Sequence, residues 1–370
     1  MEPRWLRTIG AAAAFALTAA IGVALAGGIP ESGELDPVTF AYQAVANVLA
    51  LILAIALLLA ILAYLAIEYI QTHKLASITG QFTTRTFILM PIAIALNIIL
   101  GQTVVAALKI PVYLDSIGTI LVGVLAGPIA GAATGFLANI LWAYVIPPPL
   151  QYPPAAAFAV TAAVIGLLAG FAGRQGYLRP RTDRPATHLI VGGIVTSAVM
   201  GGLAYLAYLG YTTILGPTLL TPQSTDPIFI VLGWLALSLV VLTVVGLIAL
   251  LAVRRDLTAT YVVLAGMATG VVAAVISAPI AAGVFGGVTG AGADFLVAAF
   301  RQAGADIGAA TLGQGLISDP IDKITTFFVV YLILSAMARR TKARFPQGER
   351  LIDADEPSTD EEGEWRGASA

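Results

Sequence analysis

The stretch 110-IPVYLDSIGTILVGVLAGPIAGAATGFLANILWAY-144 decides the fold. Its apolar part, 113–146, has roughly 34 residues and spans about 51 Å as a helix, too short for two full crossings of a hydrocarbon core about 30 Å thick. Gly127-Pro128 sits near its middle, and glycine after one helix followed by proline at the first position of the next is a turn signal. A single crossing would place the arginines of 174–187 on the opposite side from the other basic loops. The stretch therefore predicts a short helical hairpin, tilted or partly re-entrant and shielded from lipid by other helices.

The rest of the chain agrees with a membrane setting. Its 370 residues are 58% hydrophobic and 11% charged, and the mean hydropathy is +0.91. That composition belongs in a bilayer. Apolar runs near 8–27, 39–70, 86–107, 113–126, 128–146, 155–173, 188–210, 228–252, 257–283 and 320–338 predict an all-α, polytopic integral membrane bundle of about ten transmembrane helices. With the N-terminus inside, 16 of the 19 basic residues fall on the cytoplasmic side, as the positive-inside rule requires. This predicts a multi-pass protein of a prokaryotic plasma membrane with both termini cytoplasmic. By the same parity, 284–318 is expected as an outer re-entrant or interfacial segment.

Three regions follow. Residues 1–85 read as accessory transmembrane helices, 86–345 as the transmembrane core, and 346–370 as a disordered cytoplasmic tail carrying eight acidic residues and little to bury. The first span also reads as a signal peptide, with Ala24-Leu25-Ala26 as its cleavage site. Cysteine is absent and the only histidines are His73 and His188. A disulfide framework, a thiolate metal site and haem ligation are thus not expected, and no cofactor is predicted.

Only Lys109, Arg301 and Lys323 break the inside rule, and all fall near Asp115, Asp294, Asp306, Asp319 and Asp322. Asp115, Asp294, Asp306 and Asp319 each have a plain structural use as a helix N-cap, Asp319 before Pro320 most directly, and Asp322 near the same N-terminus is favoured by the helix dipole. Lys323, placed in the first turn of a helix starting there, would oppose the helix dipole and need a partner, with Asp319 the nearest. Lys109 can instead snorkel outward, and Arg301 can decorate an interfacial helix.

The functional alternative is a polar layer around an outward-facing small-molecule ligand, formed by Lys109, Asp115, Asp294, Arg301, Asp319, Asp322 and Lys323, because charge at membrane depth is expensive. Asn97, Gln102, Tyr113, Asn139, Trp142 and Gln314 extend that layer. Amides of this kind also bond helix to helix, and Trp142, Tyr144, Tyr152, Tyr208 and Tyr211 also suit an aromatic belt. Glycines four apart, at 123, 127, 131 and 135 and again at 266 and 270, predict close helix packing.

The segments "IPVYLDSIGTILVGVLAGPIAGAATGFLANILWAY" and "GLISDPIDKITTFFVVYLIL" resemble the membrane-embedded substrate-binding subunits, or S components, of energy-coupling-factor (ECF) transporters. The first is similar to their proline-containing outer loop with its Gly-Pro hairpin, and the second to their last helix with an Asp-Lys pair. The resemblance covers about 86–173 and 257–338. It implies capture of a vitamin-like small solute from outside, with an energy-coupling transmembrane subunit and ATPases as partners.

No Gly-x-Ser-x-Gly, His-Glu-x-x-His or phosphate-cradling Gly-Lys-Ser/Thr motif occurs, so neither catalytic turnover nor nucleic-acid binding is expected. Lipid chemistry using the outer carboxylates, a ligand sensor signalling to another chain and a stand-alone secondary transporter remain the alternatives.

Overall fold

The computed structural model describes residues 4–25, 41–107, 112–148, 151–182, 184–214, 227–290 and 293–352. Every regular element among them is a helix. Ala26, the acidic residues from Asp353 onward and Lys109 lie outside the described residues, as do the side chains of Tyr208 and Tyr211.

The first pair is α1 (Arg4–Leu25) and α2 (Ala41–Thr72). They run antiparallel, with Gly10 against Ile67 and Gly22 against Ile52. Arg7 and Glu68 close the pair with a 3.2 Å ion pair, and the Ser77 hydroxyl of α3 (Ala76–Thr79) donates to Glu68 at 2.8 Å. Next come α4 (Thr84–Ala107), α5 (Ile117–Ala126), α6 (Pro128–Tyr144) and, after a short 3-10 turn, α7 (Ala159–Arg174). The remainder comprises α8 (Ala186–Ile214), α9 (Pro227–Ala252), α10 (Thr258–Phe285), α11 (Asp294–Gln302), α12 (Ile307–Ala336) and α13 (Arg339–Lys342).

Among the described residues, six helical stretches are long and apolar enough to cross a membrane: Trp5–Leu25, Ile55–Thr72, Thr84–Gln102, Pro153–Arg174, Ala186–Leu206 and Thr258–Phe285. Ile117–Ala126 and Val240–Ala252 are apolar but shorter. Although α12 has 30 residues, three charged ones interrupt its middle. Large aliphatic side chains such as Ile92, Ile99, Ile194, Val245 and Ile248 point outward, a surface that suits lipid and not water.

The hairpin turns at Gly127-Pro128. Gly127 has φ +128° and Pro128 opens α6, so a backbone region open to glycine stands beside a residue whose missing N–H costs nothing there. At 10 residues, α5 covers about 15 Å, half of a hydrocarbon core. In the loop that enters α5, Leu114 has φ +55°. The interior of the bundle shelters that irregular backbone, as membranes require.

The other long packing is α10 along α12. A Cβ on Gly266 would stand 2.5 Å from the Ile324 Cα, and Gly270 lies equally close to Pro320. This contact explains a departure from the sequence expectation. The last helix begins not at Pro320 but at Ile307, where Asp306 caps it by accepting from the Ala309 N–H at 2.8 Å. Pro320 sits inside the helix with α10 glycines against it, so 307–318 forms the first two-fifths of one long helix and not a separate short helix or loop. Of 284–318, the separate short element is α11.

The basic loops meet at one end of the bundle. Asp256 accepts from the backbone N–H groups of Arg181 and Thr258, both at 2.9 Å, and from the Tyr331 hydroxyl at 3.1 Å. Arg181 also lies over the Tyr261 ring, 3.9 Å from its centroid. Arg85 donates to the Arg344 carbonyl and Arg350 to the Arg174 carbonyl. The start of the expected tail is packed as well, since Gln347 donates its N–H to the Leu125 carbonyl and Leu351 and Ile352 are buried.

Candidate functional site

The site is built on the middle of α12 and the start of α5. Asp322 and Lys323 are almost fully buried, 16 and 17 positions into a helix that starts at Ile307. Lys323 is thus remote from the positive end of the helix, and the dipole conflict expected of a first-turn lysine does not arise. Its ion-pair partners are Asp322 and, at 3.7 Å, Asp115, in place of the expected Asp319. It also donates to the Ser116 hydroxyl at 2.8 Å.

Asp322 does two things at once. One oxygen receives the Lys323 ammonium, and the other accepts from the backbone N–H groups of Tyr113 and Leu114, each at 2.8 Å. The loop entering α5 would otherwise carry those donors into the bundle interior unpaired, at a cost of about 1–3 kcal/mol each. A carboxylate from a helix more than two hundred residues away thereby fixes the loop's left-handed turn at Leu114.

Above this pair lies a cavity of about 110 Å³. Its polar wall is made by Tyr113, Asp115, Ser116, Asn139, Gln314, Asp319 and Lys323. Gln314 donates to the Tyr113 hydroxyl at 2.9 Å, and the Ser277 hydroxyl of α10 donates to Asp319 at 3.2 Å. The aromatic wall contains Phe158 together with Trp142 and Tyr152, whose ring centroids are 5.1 Å apart. Tyr152 donates to the Thr289 carbonyl. Burial, with the Asp294 and Asp115 carboxylates adding to it, pushes its phenol well above the ordinary range, so it remains a donor. Thr161 also lines the cavity; its hydroxyl oxygen is buried and has no hydrogen-bond partner.

Of the residues singled out in the sequence, the structure brings Tyr113, Asp115, Asn139, Trp142, Gln314, Asp319 and Lys323 to this wall, with Asp322 directly behind. Others fall elsewhere. Asn97 joins α4 to α5, donating to Thr119 at 2.8 Å and accepting from the Gly118 N–H at 2.7 Å, which is the helix-to-helix role open to it. Gln102 lies beside the cavity-lining Gly101 but is not part of the wall; its carbonyl oxygen is buried without a hydrogen-bond partner.

Asp294 ties its own turn, accepting from the Thr289 hydroxyl at 2.9 Å and the Gly290 N–H at 2.8 Å. Arg301 is exposed and donates to the Ala305 carbonyl. Neither is in the wall.

The sequence reading missed Ser116, Thr161 and Ser277, and it grouped Tyr152 with the aromatics of a belt without singling it out for the ligand. A hydroxyl in an otherwise apolar helix was the available signal, but Ser and Thr there so often bond their own helix that it selects nothing by itself. No group of three His, Asp or Glu side chains among the described residues is placed to hold a metal ion. No family model, curated protein or solved structure matches the chain.

Proposed function

We propose that the protein is a membrane-embedded binding subunit that captures a small solute in this cavity and passes it inward with the help of separate energy-coupling subunits. The observation carrying the reading is the cavity itself. In a chain this apolar, charged groups from α12, aromatic rings from the α6–α7 side and an unpartnered hydroxyl from α7 converge on one small space. Convergent polar groups within an apolar pocket are the usual form of a small-molecule site.

The similarity of 110–144 and 315–334 to ECF S components supports the same reading and supplies its partners, a coupling transmembrane subunit and ATPases. The chain has no phosphate-cradling loop of its own. In this reading about ten segments cross the plasma membrane of a prokaryote, α5 and α6 acting as the short hairpin. The basic end of the bundle and both termini face the cytoplasm, and the cavity is reached from outside.

One observation favours a second reading, a stand-alone secondary carrier. Buried carboxylates such as Asp319 are the groups through which proton-coupled carriers work. Reconstitution separates the two. Purified protein alone in liposomes is expected to bind the substrate retained on gentle purification but not to accumulate it, with or without an imposed proton gradient. Gradient-driven accumulation would replace the subunit reading with the carrier.

A further inference from the structure

We infer that the cavity takes a small organic cation, with its positive group between Asp319 and Asp115 and its flat body against Trp142 and Tyr152. The inference rests on reading this cavity as a solute site and names the chemical class of the solute.

The charge balance is the first argument. Three carboxylates and one ammonium meet here, and the ammonium is already committed. Lys323 binds Asp322 and Ser116, and Asp322 spends its second oxygen on two backbone N–H groups. Asp115 is 3.7 Å from Lys323, ion-pair range but beyond a hydrogen bond, and its side chain is about one-third exposed toward the cavity. Asp319 is buried and faces the cavity with a hydroxyl, not a cation, as its main partner. Among the described residues no second basic side chain lines the space. Buried carboxylates need a counter-charge or a proton. A cationic ligand supplies the counter-charge, whereas an anionic one adds a further negative charge to an excess already present.

The other two walls fit the same class. Trp142 and Tyr152 present indole and phenol rings, and ring faces attract cations most strongly where water is excluded. In the same lining the orphaned Thr161 hydroxyl offers either a donor or an acceptor to a ligand. That oxygen is an independent sign that the cavity is built around a polar occupant, because buried hydroxyls are ordinarily satisfied.

The test uses the full-length protein in detergent at neutral pH with three probes of similar size and different charge: benzylammonium, benzyl alcohol and benzoate. Thermal unfolding and tryptophan fluorescence report binding. Benzylammonium is expected to raise the unfolding midpoint and to bind about tenfold or more tighter than benzyl alcohol, the scale of one charge-assisted contact, with no shift from benzoate. Asp319→Asn should erase the preference for the cation. Should that variant fail to fold, Asp115→Asn, on the more exposed carboxylate, is expected to reduce the preference in the same direction. Equal or tighter binding of benzyl alcohol or benzoate overturns the cation while leaving a solute site in place. No binding of any probe to the wild type overturns the cation inference, and the uptake experiment then decides separately whether the protein handles a solute at all.

Discussion

Two cavities in this molecule make opposite demands on the sequence. The one above Lys323 has about 110 Å³ and a charged, hydrogen-bonded wall. The other, of about 290 Å³, lies between the α1–α2 pair and the faces of α6, α7 and α10, and residues such as Phe15, Leu57, Ile61, Leu167 and Ile276 line it. The larger space needs almost no specification, because lipid chains are as apolar as the side chains around it and leave no donor or acceptor unpaired. The smaller one needs each polar group placed against another, since a partner lost there leaves a desolvated charge. Chemical information in this chain is therefore concentrated in a few residues of the loop before α5 and of α6, α7, α10 and α12.

The largest effect is expected where that concentration is greatest. Asp322→Ala removes the partner of Lys323 and the acceptor of two backbone donors together, so it should destabilise by about 3–5 kcal/mol, the range for halving a buried ion pair. Yield of monodisperse protein and the unfolding midpoint report it. Asp322→Ala combined with Lys323→Met should recover part of the loss, because the ammonium that lost its main partner is removed with it. If the double variant is as unstable as the sum of the single ones, the two residues act independently and the clamp on the 112–116 loop is the whole effect.

The same contrast explains what could be read from the chain. Gly127-Pro128 was legible because both residues act through their own backbone, and the structure turns there. The bridging use of Asn97 was open in the sequence only as the alternative to its place in the polar layer, since its partner lies on another helix. The cap at Asp306 was legible as well, but the run of α12 on through Pro320 was not. Asp319-Pro320 has the local form of a cap, while in the structure the helix continues through it with α10 glycines packed against Pro320, a contact between distant parts of the chain. The partners of Lys323 were illegible for the same reason, since Ser116 and Asp115 reach it only once α5 is docked on α12. The packing of 347–352 under α5 and α7 was likewise hidden by the acidic residues that follow it.

A smaller effect is expected in the apolar cavity. Ile61→Ala enlarges it without exposing a polar group, so stability in a bilayer should change by less than about 1 kcal/mol, below the 2–5 kcal/mol typical of a sealed core. Solute binding should not change. A loss comparable to a core deletion, measured in nanodiscs, would show that the space is closed to lipid and would remove the distinction drawn between the two cavities.

The central claim, that the charged cavity holds a small molecule, is tested most directly by native mass spectrometry of gently purified wild-type protein beside Asp319→Asn. The account predicts a retained small species on the wild type, of a mass matching an organic cation, and its loss from a variant that is otherwise folded. The same adducts on both proteins, or none on either, would contradict it.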